Sequence, residues 1–241
     1  MESWNNKTLI QYAQDKQSEE NIFKLKRAIS SITETYHLCI YHYHTLDDLI
    51  DEHLRQNPTA SSAFRSRFSI DPDVNNKDYE FTLGCRANII AIVRTLHSLS
   101  DILGFVIYLG LSLNHDSRTR LEESKIYLST VKNKLEVLPK YSELLLLVKQ
   151  LTSPSDYQYL NRLCNQTKHS IIVRPESHFD LKEQGKERYK FIFEAVEKRA
   201  GVNDKFPEVS AIPFLKREFK RQNDIVISIL HCLDKIASGA T

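Results

Sequence analysis

Between residues 18 and 55 the apolar side chains keep one rhythm, and that rhythm restricts what the stretch can become. Ile22, Ile29, Tyr36, Tyr43 and Ile50 recur every seven residues, with Leu25, Ile32, Cys39 and Leu46 as a companion series. Two apolar positions per heptad fall on one narrow stripe of an α-helix. A strand alternates its faces every two residues and cannot use such a pattern. The stripe has to be covered, either by an antiparallel neighbour or by a second subunit, and we favour a core seam over a dimer contact.

The rest of the chain extends the helical expectation. Six glycines and seven prolines in 241 residues leave few tight turns and few strands. Residues 56–78, rich in Ser, Asn, Asp and Pro, read as a long exposed loop, in which Arg65 and Arg67 alternate with Phe64 and Phe68. A helix over 78–113 is apolar nearly all round and is expected to be the most buried. Arg86, Arg94, His97 and Asp101 interrupt it, the last three on one face, so partners are expected for these charges. Leu121, Leu128 and Leu135 point to a helix over 117–138 that Pro139 stops, followed by a short apolar helix over 140–151. The stretch 178–198 alternates Phe179 and Leu181, then Tyr189, Phe191 and Phe193, around a Gln184-Gly185 break. That favours a small β-hairpin, although Tyr189, Ile192, Phe193 and Val196 also fit a helix face. A final helix over 214–236 carries Leu215, Phe219, Val226, Leu230 and Leu233.

Composition sets limits on function. With 33 basic against 31 acidic side chains the net charge is +2, so any nucleic-acid footprint has to be local. Cys39, Cys85, Cys164 and Cys232 are scattered through apolar patterns, which reads as buried, reduced thiols in a cytoplasmic protein. The first residues hold no apolar signal core. The run 101–113 has roughly a dozen apolar positions, short of the about 20 that span a bilayer, so it reads as a core helix and no membrane partner is expected.

Candidate chemistry concentrates in "YLNRLCNQTKHSIIV", residues 159–173. Leu160, Cys164, Thr167 and Ile171 form its core face. Arg162, Asn165 and His169, spaced three and four, form a second stripe flanked by Asn161 and Lys168. A fixed cation, an amide and an imidazole titrating near neutrality suit phosphodiester chemistry. Arginine holds a phosphate with its planar fork, and histidine moves the proton of a ribose 2′-hydroxyl or of the leaving 5′-oxygen. Such a reaction needs no metal and no cofactor. HExxH, Walker, GxSxG and EF-hand patterns are absent from the sequence. His37, His44 and Asp48 share a helix face, yet a third metal ligand is missing and they read as surface groups. Further substrate contacts are expected from Arg94 and His97, and from Lys216, Arg217, Lys220 and Arg221 on one side of the last helix.

Arg162 to His169 reads R-x6-H near the end of a helix, and "NQTKHS" contains N-x-x-K-H. In both respects the chain resembles HEPN domains, helical proteins of bacterial toxin–antitoxin and phage-defence systems. The resemblance covers about residues 78–237. It implies a homodimer whose paired R-x-H helices face one cleft, with Arg162 on the scissile phosphate and His169 as acid or base. Active members place a polar residue directly after the arginine; this chain has Leu163. The resulting expectation is a mainly α protein with residues 1–77 as a long-helix and loop elaboration and 78–241 as a HEPN-like bundle. Its expected activity is metal-independent endoribonuclease action, with RNA as substrate and an antitoxin or defence-complex protein as a further partner. The alternatives are a non-catalytic subunit that binds RNA or a protein partner, and a purely structural dimeric bundle.

Overall fold

A computed structural model describes residue 4 and residues 6–169, 173–198 and 204–239; the side chains of Lys168 and His169 lie outside the description. Helix accounts for 74% of the structure, accompanied by a small antiparallel sheet. The helices are α1 (Lys7–Gln14), α2 (Glu19–Gln56), α3 (Ala60–Arg67), α4 (Pro72–Gly110), α5 (Leu128–Leu135), α6 (Ser142–Thr152), α7 (Ser155–His169) and α8 (Ala211–Ser238). The strands are β1 (Glu176–Phe179), β2 (Tyr189–Phe193), β3 (Val196–Glu197), β4 (Lys205–Phe206) and β5 (Val209–Ser210).

The chain forms two compact units. One comprises Met1–His37, Leu96–Gln158 and Glu218–Thr241, the other Leu38–Thr95 and Tyr159–Arg217. Each draws residues from both sides of the 77/78 boundary that the sequence suggests.

The first unit is a helical bundle. Its core joins Ile22, Leu25, Ile29 and Ile32 of α2 with Leu103, Val106 and Ile107 of α4, Val131 and Leu135 of α5, Leu144 and Val148 of α6, and Ile229, Leu230 and Leu233 of α8. The heptad stripe is thus buried in each unit, through Ile22, Leu25, Ile29 and Ile32 in the first and Cys39, Leu46 and Ile50 in the second, while Tyr36 and Tyr43 are half-buried. Gly104 marks the closest approach of α4 to the start of α5. A Cβ there would lie 2.7 Å from the Leu128 amide nitrogen and 2.9 Å from its Cα.

Three local expectations change. The loop over 56–78 contains α3 and the first turn of α4. Thr59 caps α3, its hydroxyl accepting from the Ser62 N–H while the Ser62 hydroxyl accepts from the Thr59 N–H. Asp71 accepts the Asp73 N–H, and Pro72 opens α4, where a missing N–H does no harm. The helix over 117–138 shrinks to one 3-10 turn (Glu123–Lys125) and α5. Upstream, the Asp116 carboxylate takes the Arg118 side chain and backbone N–H, and the Thr119 hydroxyl donates to the Leu113 carbonyl. These short polar side chains bind the backbone locally and displace helix. The third change concerns the apolar run at 101–113, of which residues 101–110 end a 39-residue helix. By length and composition α4 is enough to cross a membrane, and 56% of its most apolar window is buried inside the protein.

In the second unit the hairpin replaces the helical alternative at 178–198. β1 pairs antiparallel with β2, Phe179 opposite Tyr189, and β5 extends the sheet on the other side of β2. Tyr189, Phe191 and Phe193 are buried, while Lys190 and Ile192 face the other way, a period of two. Gly185 turns the chain with φ +56°.

Candidate functional site

Helix α7 is anchored in the second unit by Tyr159, Leu160, Leu163 and Cys164, all at most 4% exposed. Leu163, where the family resemblance expects a polar residue, is a core residue. The Tyr159 ring packs against Phe193, Phe206 and Phe214, and its hydroxyl donates to the Glu194 carbonyl at 3.0 Å. Burial pushes this phenol up, so it stays a donor.

This anchoring leaves Asn161, Arg162 and Asn165 half-buried on the opposite stripe. Arg162 donates from Nε to the Glu197 carbonyl of β3 at 2.9 Å, and pairs with no carboxylate among the described residues. Asn165 donates to the Asn161 side-chain oxygen at 3.0 Å. Next to it, Gln166 keeps a buried Oε1 without a hydrogen-bond partner among the described residues and borders a cavity of about 640 Å³. Arg174 and Lys205 line that cavity together with Glu176, Glu194 and Glu197, so its charges are mixed. His169 and Lys168 close α7, and their side chains fall outside the described residues, as does Ile171.

The remaining site candidates are dispersed. Arg94 is exposed, whereas His97 is buried with Nδ1 3.9 Å from Asp101, so the expected shared face is divided between solvent and core. Arg86 serves the fold by donating to the Pro175 carbonyl at 3.0 Å. Lys216 lies 3.8 Å from Asp47, and Arg217 is exposed with its guanidinium 5.9 Å from the Phe214 ring. Lys220 is exposed. Arg221 leaves the expected basic face. Its Nε and Nη2 grip the fully buried Glu218 at 2.8 and 2.6 Å, while Nη1 donates to the Gln150 carbonyl and the same Nη2 to the Leu151 carbonyl at the end of α6. Pairing with a buried carboxylate overrode surface exposure here.

The cysteines are all free and buried, and burial pushes the Cys39 and Cys85 thiols up to about 12. Among the described residues no group of three or more His, Cys, Asp or Glu could hold a metal ion.

A second polar cluster went unread in the sequence. His53 is 5% exposed, stacked on Phe81 at 3.8 Å with Tyr189 edge-on at 5.0 Å. Its Nε2 lies 3.6 Å from Asp78 Oδ1, and Arg67 lies 3.6 Å from the other carboxylate oxygen. Arg188 Nε, Thr82 Oγ1 and the Tyr189 hydroxyl are also buried without hydrogen-bond partners. The signal was present: His53 is seven residues after Leu46, the next position of the companion heptad series.

Burial, and secondarily the Arg67 charge, lower His53 from 6.5 to about 4. Burial raises Asp78, opposed by Arg67. A neutral imidazole beside a desolvated carboxyl follows. Between pH 6.5 and about 4 the unfolded chain takes up the His53 proton and the fold does not, so stability falls as pH drops through that window. A shift of this size corresponds to about 3 kcal/mol. Asp78 works in the opposite sense, binding its proton earlier in the fold, and offsets part of the loss. His53→Phe keeps a ring for the Phe81 stack and is expected to flatten the decline. Urea midpoints of the two proteins at pH 7, 5.5 and 4.5 measure it, and parallel profiles would refute the assignment.

Comparison with models of known protein families, with curated proteins and with solved structures finds no match for this chain.

Proposed function

We propose that this chain is a HEPN-like, metal-independent endoribonuclease that cleaves RNA by attack of a 2′-hydroxyl on the adjacent phosphate, as the effector of a bacterial toxin or phage-defence system. The supporting observation is the state of Arg162. Its Nε is held by the Glu197 carbonyl and no carboxylate among the described residues neutralises it, so the guanidinium is oriented without being spent. A fixed, unneutralised fork is what a phosphate needs, because bidentate donation stabilises charge spread over two oxygens. Asn161 and Asn165 add amide donors along the same stripe. His169, one heptad after Arg162, supplies proton transfer, and a second copy of the chain supplies the second arginine and histidine of a composite cleft.

The experiment is incubation of the purified chain with total RNA in excess chelator. Cleavage products ending in 2′,3′-cyclic phosphate are expected. Products with 3′-hydroxyl ends, or cleavage that stops in chelator, would exclude the mechanism.

A second reading, a non-catalytic RNA-binding subunit of a defence complex, is favoured by one observation. Phe64 and Phe68 are both exposed, with ring centroids 4.7 Å apart, a surface on which bases can stack. Retention of RNA on the chain without any cleavage selects this reading.

A further inference from the structure

A cavity of about 440 Å³ in the second unit is bordered by the end of α2, by α3 and by the first turns of α4. Two of its lining residues, Arg65 and Lys77, are exposed cations with no carboxylate partner among the described residues. Ser61 and Ser66 add hydroxyls, while the Ser62 hydroxyl and the Asn57 amide, also in the lining, donate to the Thr59 and His53 carbonyls. No Asp or Glu is among the lining residues, in a chain that carries 31 of them. The N-terminal turn of α3, with its positive dipole end, forms part of the wall. His53, 5% exposed, also lines the cavity, with its Nε2 3.6 Å from Asp78 Oδ1.

We propose that this cavity, built around Arg65, Lys77, Ser61 and Ser66, binds the phosphate group of a small phosphorylated ligand of mononucleotide size. Two features converge on that chemistry. Unneutralised cations with hydroxyl donors select an anion, and the missing carboxylates remove the repulsion that would oppose one. The volume lies within the roughly 300–1,000 Å³ of small-molecule sites, which leaves room for an organic portion beyond the phosphate. The site is independent of the ribonuclease reading, because none of these residues lies on α7.

Titration calorimetry of the full chain with inorganic phosphate, with each of the four nucleoside 5′-monophosphates and with the neutral nucleosides tests this. At least one monophosphate is expected to bind about tenfold or more tightly than its nucleoside, since that difference is the charge-assisted contact. Arg65→Ala with Lys77→Ala should weaken binding by at least about tenfold, with an unchanged circular dichroism melt because both side chains are exposed. Inorganic phosphate binding as tightly as every monophosphate keeps the anion site and assigns it to free phosphate, overturning the organic portion. The proposal as a whole fails if neither phosphate nor monophosphates bind by about 10 mM, a Kd worth under 3 kcal/mol. It fails equally if the nucleosides match their monophosphates, or if the double variant binds as the wild type does.

Discussion

His169→Ala is expected to lower RNA cleavage by about 10²–10⁴-fold, the range that positioned proton transfer contributes. The helix should survive the change. α7 ends at His169, and its anchoring comes from Tyr159, Leu160, Leu163 and Cys164, one to three turns earlier. Circular dichroism and thermal melting should therefore match the wild type while the rate of cyclic-phosphate formation collapses. Arg162→Lys is the companion measurement. A lysine can reach the Glu197 carbonyl or a phosphate, and it lacks the fork that serves both, so its loss combines positioning with charge stabilisation. Equal cleavage of total RNA by wild type and His169→Ala would remove His169 from the chemistry and leave the RNA-binding reading.

Removing Glu218 is expected to destabilise the first unit by about 3–5 kcal/mol, the usual cost of stripping one partner from a buried pair. The carboxylate is fully buried, receives Arg221 through two nitrogens and accepts from Gln222 at 2.9 Å. Without it the Arg221 charge is left uncompensated beside the Gln150 and Leu151 carbonyls it also holds. Glu218→Gln keeps an acceptor and should cost less than Glu218→Ala. The double variant Glu218→Ala/Arg221→Met should fall well short of the summed single effects, because the two side chains act as one unit. Urea unfolding of the four proteins reads the cycle. Additive losses, or a Glu218→Ala effect under about 1 kcal/mol, would mean that the pair contributes little.

What the sequence discloses follows physical locality. The α2 seam is periodic, so the burial of Ile22, Leu25, Ile32 and Leu46 could be read without any partner in view. The hairpin was legible for the same reason, Tyr189, Phe191 and Phe193 alternating with outward side chains. Polar capping was less visible. Thr59 and Ser62 look like loop composition until their reciprocal bonds are seen, and Asp116 with Thr119 holds the chain out of helix just before a leucine series whose spacing reads as helical from Leu121. Partners distant along the chain were the least legible. The α7 stripe could be drawn from spacing alone, but Arg162 meets a carbonyl 35 residues later, and Arg221 meets carbonyls about 70 residues earlier. His53 was hidden by its type: a histidine in an apolar series reads as an interruption, whereas burial makes it a neutral member of that series.

At Gly104 the alphabet shrinks to one letter. Even the smallest side-chain carbon would stand 2.7 Å from the Leu128 nitrogen, and the atoms in its way are backbone, which cannot rotate aside as a side-chain tip does. The contrast with Gly84, whose nearest obstacle is the movable end of Leu49 at 3.1 Å, shows how unequal two glycines on one helix can be. For a lineage of such chains, a change at position 84 asks only that the Leu49 side chain give way. Position 104 is inherited together with the start of α5: any descendant that gains a methyl there must first have shifted the 127–128 backbone, so the two segments can change only in that order.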